Sequence, residues 1–139
     1  MSSGYSGTPL VKKLGIRPGG QICVLNAPGG YAHNLESLAD GITVHEEPWS
    51  GIDFVQAFCT SAKQLEAQLK LLPGLLAATG MLWICWPKKS SGVASDLNGN
   101  IVREMGLATG LVDVKVCAID EVWSGLKFVI RLEDRREIK

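Results

Sequence analysis

Short apolar runs punctuate this chain, and between them lie segments whose apolar residues recur at helical spacing. Residues 21–26 read Gln-Ile-Cys-Val-Leu-Asn, bounded before by Arg17-Pro18-Gly19-Gly20 and after by Ala27-Pro28-Gly29-Gly30. A brief, branched, apolar run between such turn signals predicts a buried strand. Residues 42–46 and 52–59 predict two more strands, separated by Pro48-Trp49-Ser50-Gly51. Residues 81–86 predict a fourth, with no polar alternation, as expected where both faces are covered.

Helical spacing fills the gaps. Thr8 as cap and Pro9 as first helical residue predict a short helix carrying Leu10, Val11 and Leu14, stopped at Gly15. A second short helix is expected over 31–39. The clearest helix follows Thr60 or Ser61, with Leu65, Leu69, Leu72 and Leu76 on one side and Pro73 bending or restarting it. Asp96 is expected to cap a helix presenting Leu97, Ile101 and Met105. In the last third, Val112, Val114, Val116 and Ala118 alternate with Asp113, Lys115 and Cys117, and Leu126, Phe128, Ile130 and Leu132 with Lys127, Val129 and Arg131. With Asp120-Glu121 near the turn, this predicts an antiparallel hairpin. The sum is an α/β fold: a Rossmann-like, mostly parallel sheet of about six strands flanked by helices and ending in an antiparallel hairpin. One joint resists this plan. Residues 47–51 are too few for a crossover helix, so either the 42–46 strand ends early or it is not parallel to the next.

Composition bounds the rest. At 139 residues the chain has the usual length of one domain, expected over 8–132 between a flexible start at 1–7 and a charged tail at 133–139. Fourteen basic and fourteen acidic side chains cancel. That argues against nucleic-acid or membrane-surface partners recruited by bulk charge. Cys23, Cys59, Cys85 and Cys117 lie far apart, each in an apolar run, and read as buried free thiols suited to a reducing cytoplasm. Cys59-Thr60-Ser61 leaves open a thiol activated by a helix N-terminus. Residues 1–9 show no apolar signal core, and the longest apolar stretch, 81–87, is strand-sized. His33 and His45 have no partners at metal spacing, so no metal site is expected.

Two resemblances emerge. The segments Leu14-Gly15-Ile16-Arg17-Pro18-Gly19-Gly20-Gln21-Ile22-Cys23-Val24-Leu25 and Leu72-Pro73-Gly74-Leu75-Leu76-Ala77-Ala78-Thr79-Gly80-Met81-Leu82-Trp83-Ile84, with the terminal hairpin, resemble the architecture of class I methyltransferases. This implies a reduced Rossmann-like fold of that kind and carries no catalytic residue over. The second resemblance rests on Gly4-Tyr5-Ser6-Gly7-Thr8-Pro9-Leu10, Trp86-Pro87-Lys88-Lys89-Ser90-Ser91-Gly92 and Asp120-Glu121-Val122-Trp123-Ser124-Gly125-Leu126-Lys127-Phe128. These segments resemble a family of short bacterial proteins catalogued as a domain of unknown function, which implies no activity, cofactor or site residue.

Open α/β sheets bind ligands beyond the carboxyl ends of their strands, which selects three loops. After the first strand, Asn26, Gly29 and Gly30 offer backbone approach to a ligand. The spacing Gly-x-Gly-x-x-Gly is absent, however, and Pro28 removes an N–H, so the loop reads first as a plain strand-to-helix turn and only second as a ligand contact. Glu46 ends the second strand, where an acidic residue can accept hydrogen bonds from ribose hydroxyls. Lys88, Lys89, Ser90 and Ser91 follow the fourth strand and could hold a phosphate or carboxylate.

No acid–base or nucleophile set can be assembled from spacing, the glycine signature is missing, and no length remains for a substrate domain. These three absences predict a non-catalytic binding or protein-interaction module that requires no cofactor. Its partner would be a second protein or a second copy meeting the hairpin edge near Trp123. The alternative is a small enzyme or sensor binding a nucleoside or anionic metabolite among the three loops.

Overall fold

The computed structural model describes residues 10–38 and 41–137. Its core is one six-stranded sheet in the order β2-β1-β3-β4-β6-β5, built from β1 (Gln21–Leu25), β2 (Thr43–His45), β3 (Ile52–Phe58), β4 (Leu76–Pro87), β5 (Leu111–Ala118) and β6 (Trp123–Ile130). The first four strands run parallel, and β6 pairs antiparallel with both β4 and β5. The expected fold class is the observed one.

Helices cover both faces. On one side α1 (Leu10–Leu14) and α2 (Tyr31–Leu38) bury Leu14, Tyr31 and Leu35 against Ile22, Val24, Phe54 and Phe58. On the other, α3 (Ala62–Leu71) and α4 (Gly99–Leu107) set Leu65, Leu69 and Val102 against Val55, Leu82, Leu126 and Phe128. Two apolar layers on one sheet are what the unbroken apolar runs of β3 and β4 require. Gly106 shows how closely α4 approaches: a Cβ there would lie 2.2 Å from the Phe128 ring.

The difficult joint resolves simply. β2 and β3 are both parallel to β1 but lie on opposite sides of it. β2 spans only Thr43–His45 and so ends before Glu46, leaving little height to regain. An extended link over 46–51 reaches about 20 Å, enough to pass two strand spacings of about 5 Å each without a helix.

Several boundaries differ from expectation, each for a local reason. Leu76 belongs to β4, not to the preceding helix: Leu72 ends α3, Pro73 opens a single 3₁₀ turn over Pro73–Leu75, and the chain then extends. β4 therefore starts well before Met81. Its early part bulges, because Ile52 pairs with Leu76 while Phe54 pairs with Met81. Gly80 permits this, since a Cβ there would lie 2.6 Å from the Ile52 carbonyl oxygen. Asn98, not Asp96, caps α4: its Oδ1 accepts from the Ile101 N–H at 2.9 Å. Leu97 is buried but precedes the helix, whose inward residues are Val102 and Gly106, with Ile101 and Met105 only partly covered. Val114 interrupts the strict alternation of β5 as a bulge between Asp113 and Lys115, leaving Val114 and Val116 exposed by 52% and 65%. A bulge on an edge strand opposes edge-to-edge pairing of sheets. Within the charged tail, Leu132–Glu137 forms 3₁₀ turns, and the Arg135 Nε–H donates to the Ile130 carbonyl at 2.9 Å. The expectations for residues 1–9, including the Thr8 cap and Pro9, and for 138–139 lie outside the described residues.

Candidate functional site

The chain winds from β1 outward to β2, then returns past β1 to β3. The strand order thus reverses at β1/β3, where parallel α/β sheets leave a crevice at their carboxyl ends. β1 ends at Leu25, and Asn26 turns the chain with φ 58, a left-handed conformation that asparagine tolerates better than most residues. Gly30, at φ 81, makes the second reversal. The Tyr31 N–H donates to the Pro28 carbonyl at 3.1 Å, closing the turn, and α2 starts directly from it.

A cavity of about 510 Å³ opens over this turn. Asn26, Pro28, Gly29 and Gly30 form one wall, His33 on the first turn of α2 another, and Glu46 closes the side toward β2. Four of the eight candidate residues, Asn26, Gly29, Gly30 and Glu46, therefore share one space although Glu46 lies far from the others in sequence. Its size falls within the roughly 300–1,000 Å³ typical of small-molecule sites. His33 belongs to this wall as well. The sequence alone did not nominate it as a ligand contact; its place as the third residue of the helix after Gly30 was the available signal.

Lys88, Lys89, Ser90 and Ser91 do not line this cavity. They follow β4, on the same edge of the sheet but two strands away from β1. A single 3₁₀ turn, Lys89–Ser91, holds them. The Lys88 N–H donates to the Val122 carbonyl at 2.7 Å, which pins the loop to the hairpin corner. The Ser91 hydroxyl donates to the Lys88 carbonyl at 2.6 Å and accepts from the Val93 N–H at 3.2 Å, so it serves the turn. Lys89 and Ser90 are exposed.

At the end of β3, the Ser61 Oγ caps α3 by accepting from the Gln64 N–H at 3.1 Å, and the Gln64 Oε1 accepts from the Thr60 N–H at 2.9 Å. The Asp96 Oδ1 accepts from the Ala62 N–H at 2.7 Å, so this carboxylate serves α3 and not α4. Cys59 is fully buried, and burial pushes its thiol pKa up to about 12. An activated nucleophile would need the opposite shift, which removes the reactive-thiol reading of Cys59-Thr60-Ser61. Burial also raises Cys23, to about 11, and Cys85 further. Only Cys117 among the four is partly exposed. Iodoacetamide at pH 8 is expected to label native protein at Cys117 alone and the other three only on unfolding. Mass spectrometry of the tryptic peptides checks this, and early label on Cys59 would contradict it.

Among the described residues no three His, Cys, Asp or Glu side chains gather as a metal-binding group. Nor is any helix among them long and apolar enough to cross a membrane.

Comparison with known proteins adds the fold's company. Neither a protein-family model nor a curated protein matches this sequence. Solved structures do match in shape. A SAM-dependent methyltransferase from Aquifex aeolicus superposes with TM-score 0.66 at 12% identity, covering 88% of this chain and 88% of that one. A structure of the Haloferax volcanii Trm112 methyltransferase activator with the putative methyltransferase gives 0.60 at 12%, covering 86% of each chain. The DhpI–SAH complex gives 0.57 at 12%, covering 81% and 78%. The chain thus has a methyltransferase-like Rossmann fold.

These matches correct the expectation of a non-catalytic interaction module. That expectation leaned on the lack of room for a substrate domain. The Aquifex methyltransferase aligns over 88% of its own length, so a chain of nearly this size suffices for such a protein. Neighbours that are methyltransferases agree better with the alternative, a small enzyme or sensor binding a nucleoside or anionic metabolite at the carboxyl ends of the strands, than with that module.

Proposed function

We propose that this chain is a small S-adenosylmethionine-dependent methyltransferase that seats the nucleoside of its donor in the cavity over β1. The observation that carries this reading is the meeting of Glu46 with Asn26, Gly29 and Gly30 around one space at the carboxyl ends of β1 and β2, beside the sheet's switch point.

The residues present fit such a group. Glu46 is exposed, lies at the cavity's edge and can accept hydrogen bonds from two vicinal hydroxyls. Gly29 and Gly30 carry no Cβ, and nothing lies within 4 Å of where one would stand, so a ligand can approach the backbone there. Leu25, Ala27 and Ala32 supply apolar surface for a base. Pro28 withholds one N–H, so this turn contributes fewer backbone donors than a glycine-rich loop would. When bound, the donor supplies an electrophilic methyl group on a sulfonium. The chain's own part is then to hold the nucleoside, orient the sulfonium toward the crevice at β1 and β3, and shield it from water.

Lys88 and Lys89 stand on the same sheet edge beyond the crevice, where an acceptor would approach. They favour an anionic acceptor, such as a phosphate- or carboxylate-bearing molecule. The test is a melting-temperature panel with S-adenosylmethionine, S-adenosylhomocysteine, NAD and ATP. A ligand at about a hundred times its Kd adds roughly 2.7 kcal/mol of stability. A shift confined to the two S-adenosyl compounds supports the reading; none from either overturns it.

A further inference from the structure

One buried polar side chain stands out on the α1/α2 face of the sheet. Gln56, in the middle of β3, has 0% exposure amid Phe54, Phe58 and Trp83. A leucine or methionine would fill that place without an amide to satisfy, and an unsatisfied amide there is costly. Both polar atoms of Gln56 have a partner. The Tyr31 hydroxyl donates to its Oε1 at 2.9 Å, and its Nε2 donates to the Cys85 Sγ at 3.3 Å. The Tyr31 ring packs edge-on against Phe58 at 4.8 Å, and Phe58 packs edge-on against Trp123 at 5.0 Å.

Tyr31 is also the residue that closes the ligand turn. It directly follows Gly30, and its N–H holds the Pro28 carbonyl. One residue therefore joins the cavity wall to the centre of β3, to β4 through Cys85 and, through Phe58, to the hairpin corner. The turn needs such a hold. It has a non-glycine residue in the left-handed region at Asn26, a proline at Pro28 and exposed glycines at Gly29 and Gly30, and nothing packs on the open side of either glycine.

We propose that Tyr31 and Gln56 form a tether that fixes the pose of the Asn26–Gly30 turn, making both positioning residues for the ligand in addition to their part in the core. The proposal rests on the nucleoside reading of the cavity. It also accounts for a polar pair at a position where apolar side chains would pack as well.

The test separates affinity from stability in three full-length proteins: wild type, Tyr31→Phe, and Tyr31→Phe with Gln56→Met. S-adenosylhomocysteine is the probe, with Kd from calorimetry and Tm from thermal unfolding. Tyr31→Phe leaves the Gln56 oxygen buried without its donor, so Tm falls and Kd weakens about five- to tenfold. The double variant replaces both partners by apolar groups of similar shape, so Tm returns close to wild type while Kd stays weakened. Recovery of Kd together with Tm, or a Kd unchanged in both variants, would overturn the tether. A wild type that binds no S-adenosylhomocysteine overturns instead the nucleoside reading on which the tether rests.

Discussion

Glu46→Ala weakens S-adenosylhomocysteine binding by about ten- to a hundredfold, the roughly 1.5–3 kcal/mol carried by hydrogen bonds to a charged acceptor, while Tm barely moves. The split follows from where Glu46 sits. Its side chain is exposed at the edge of the cavity, beyond the end of β2, and forms no ion pair among the described residues. Removing it deletes no core contact and leaves no buried group unpaired, so folding loses within about 0.5 kcal/mol. Glu46→Gln keeps the shape and one acceptor oxygen but loses the charge, and should fall between Ala and wild type. Calorimetric titration of the three proteins checks the order. Equal affinities would remove Glu46 from the site.

Trp83→Ala is expected to have the largest effect on stability. Trp83 is 0% exposed on β4, paired with Gln56 of β3 on one side and Lys127 of β6 on the other. Its Nε1–H donates to the Leu14 carbonyl at 3.0 Å. That oxygen belongs to the last residue of α1, where helix carbonyls lack intrahelical donors. One side chain thus fills the layer under α1 and satisfies the end of that helix. Truncation of a buried tryptophan costs about 3–5 kcal/mol, and in a chain of this length the melting temperature should drop on the order of 10–20 °C. Trp83→Phe retains most of the volume and loses the hydrogen bond, for about 1–2 kcal/mol. Urea unfolding with an unchanged slope gives both values. A Trp83→Ala protein within about 1 kcal/mol of wild type would contradict this account of the core.

Much of the fold was legible because the apolar runs are short and cleanly bounded. The stretches around Cys23, Val55 and Ile84 are of strand length and bounded by turn residues or Pro, which favours strand over helix, and the hairpin announces itself by period. What the sequence hid was decided by tertiary partners. Asp96 looks like a helix cap and is one, but for α3, because folding brings it to the Ala62 N–H 34 residues away in sequence. Leu76 continues the leucine spacing of α3, yet Pro73 and the pairing with Ile52 draw it into β4. β2 looked misplaced only because its position across β1 from β3 is a property of the sheet, not of the local sequence.

The candidate site was legible by halves. Glu46 and the Gly29-Gly30 turn followed from strand ends alone, and the structure brings them to one cavity. Nothing local separated them from Lys88 and Lys89, which share the edge but not the space. Gln56 read as a polar interruption in an apolar strand, and its role depends on Tyr31 reaching it across 25 positions of sequence.

The most direct measurement is a ¹⁵N-correlated titration of the protein with S-adenosylhomocysteine, following every backbone amide. The largest shifts are expected at Asn26, Gly29, Gly30, His33 and Glu46, around the cavity over β1. The smaller cavity of about 280 Å³ at the opposite end of the sheet, beside Arg17, Asp53 and Thr79, should stay silent. Shifts centred there, or none at saturating ligand, would contradict the account.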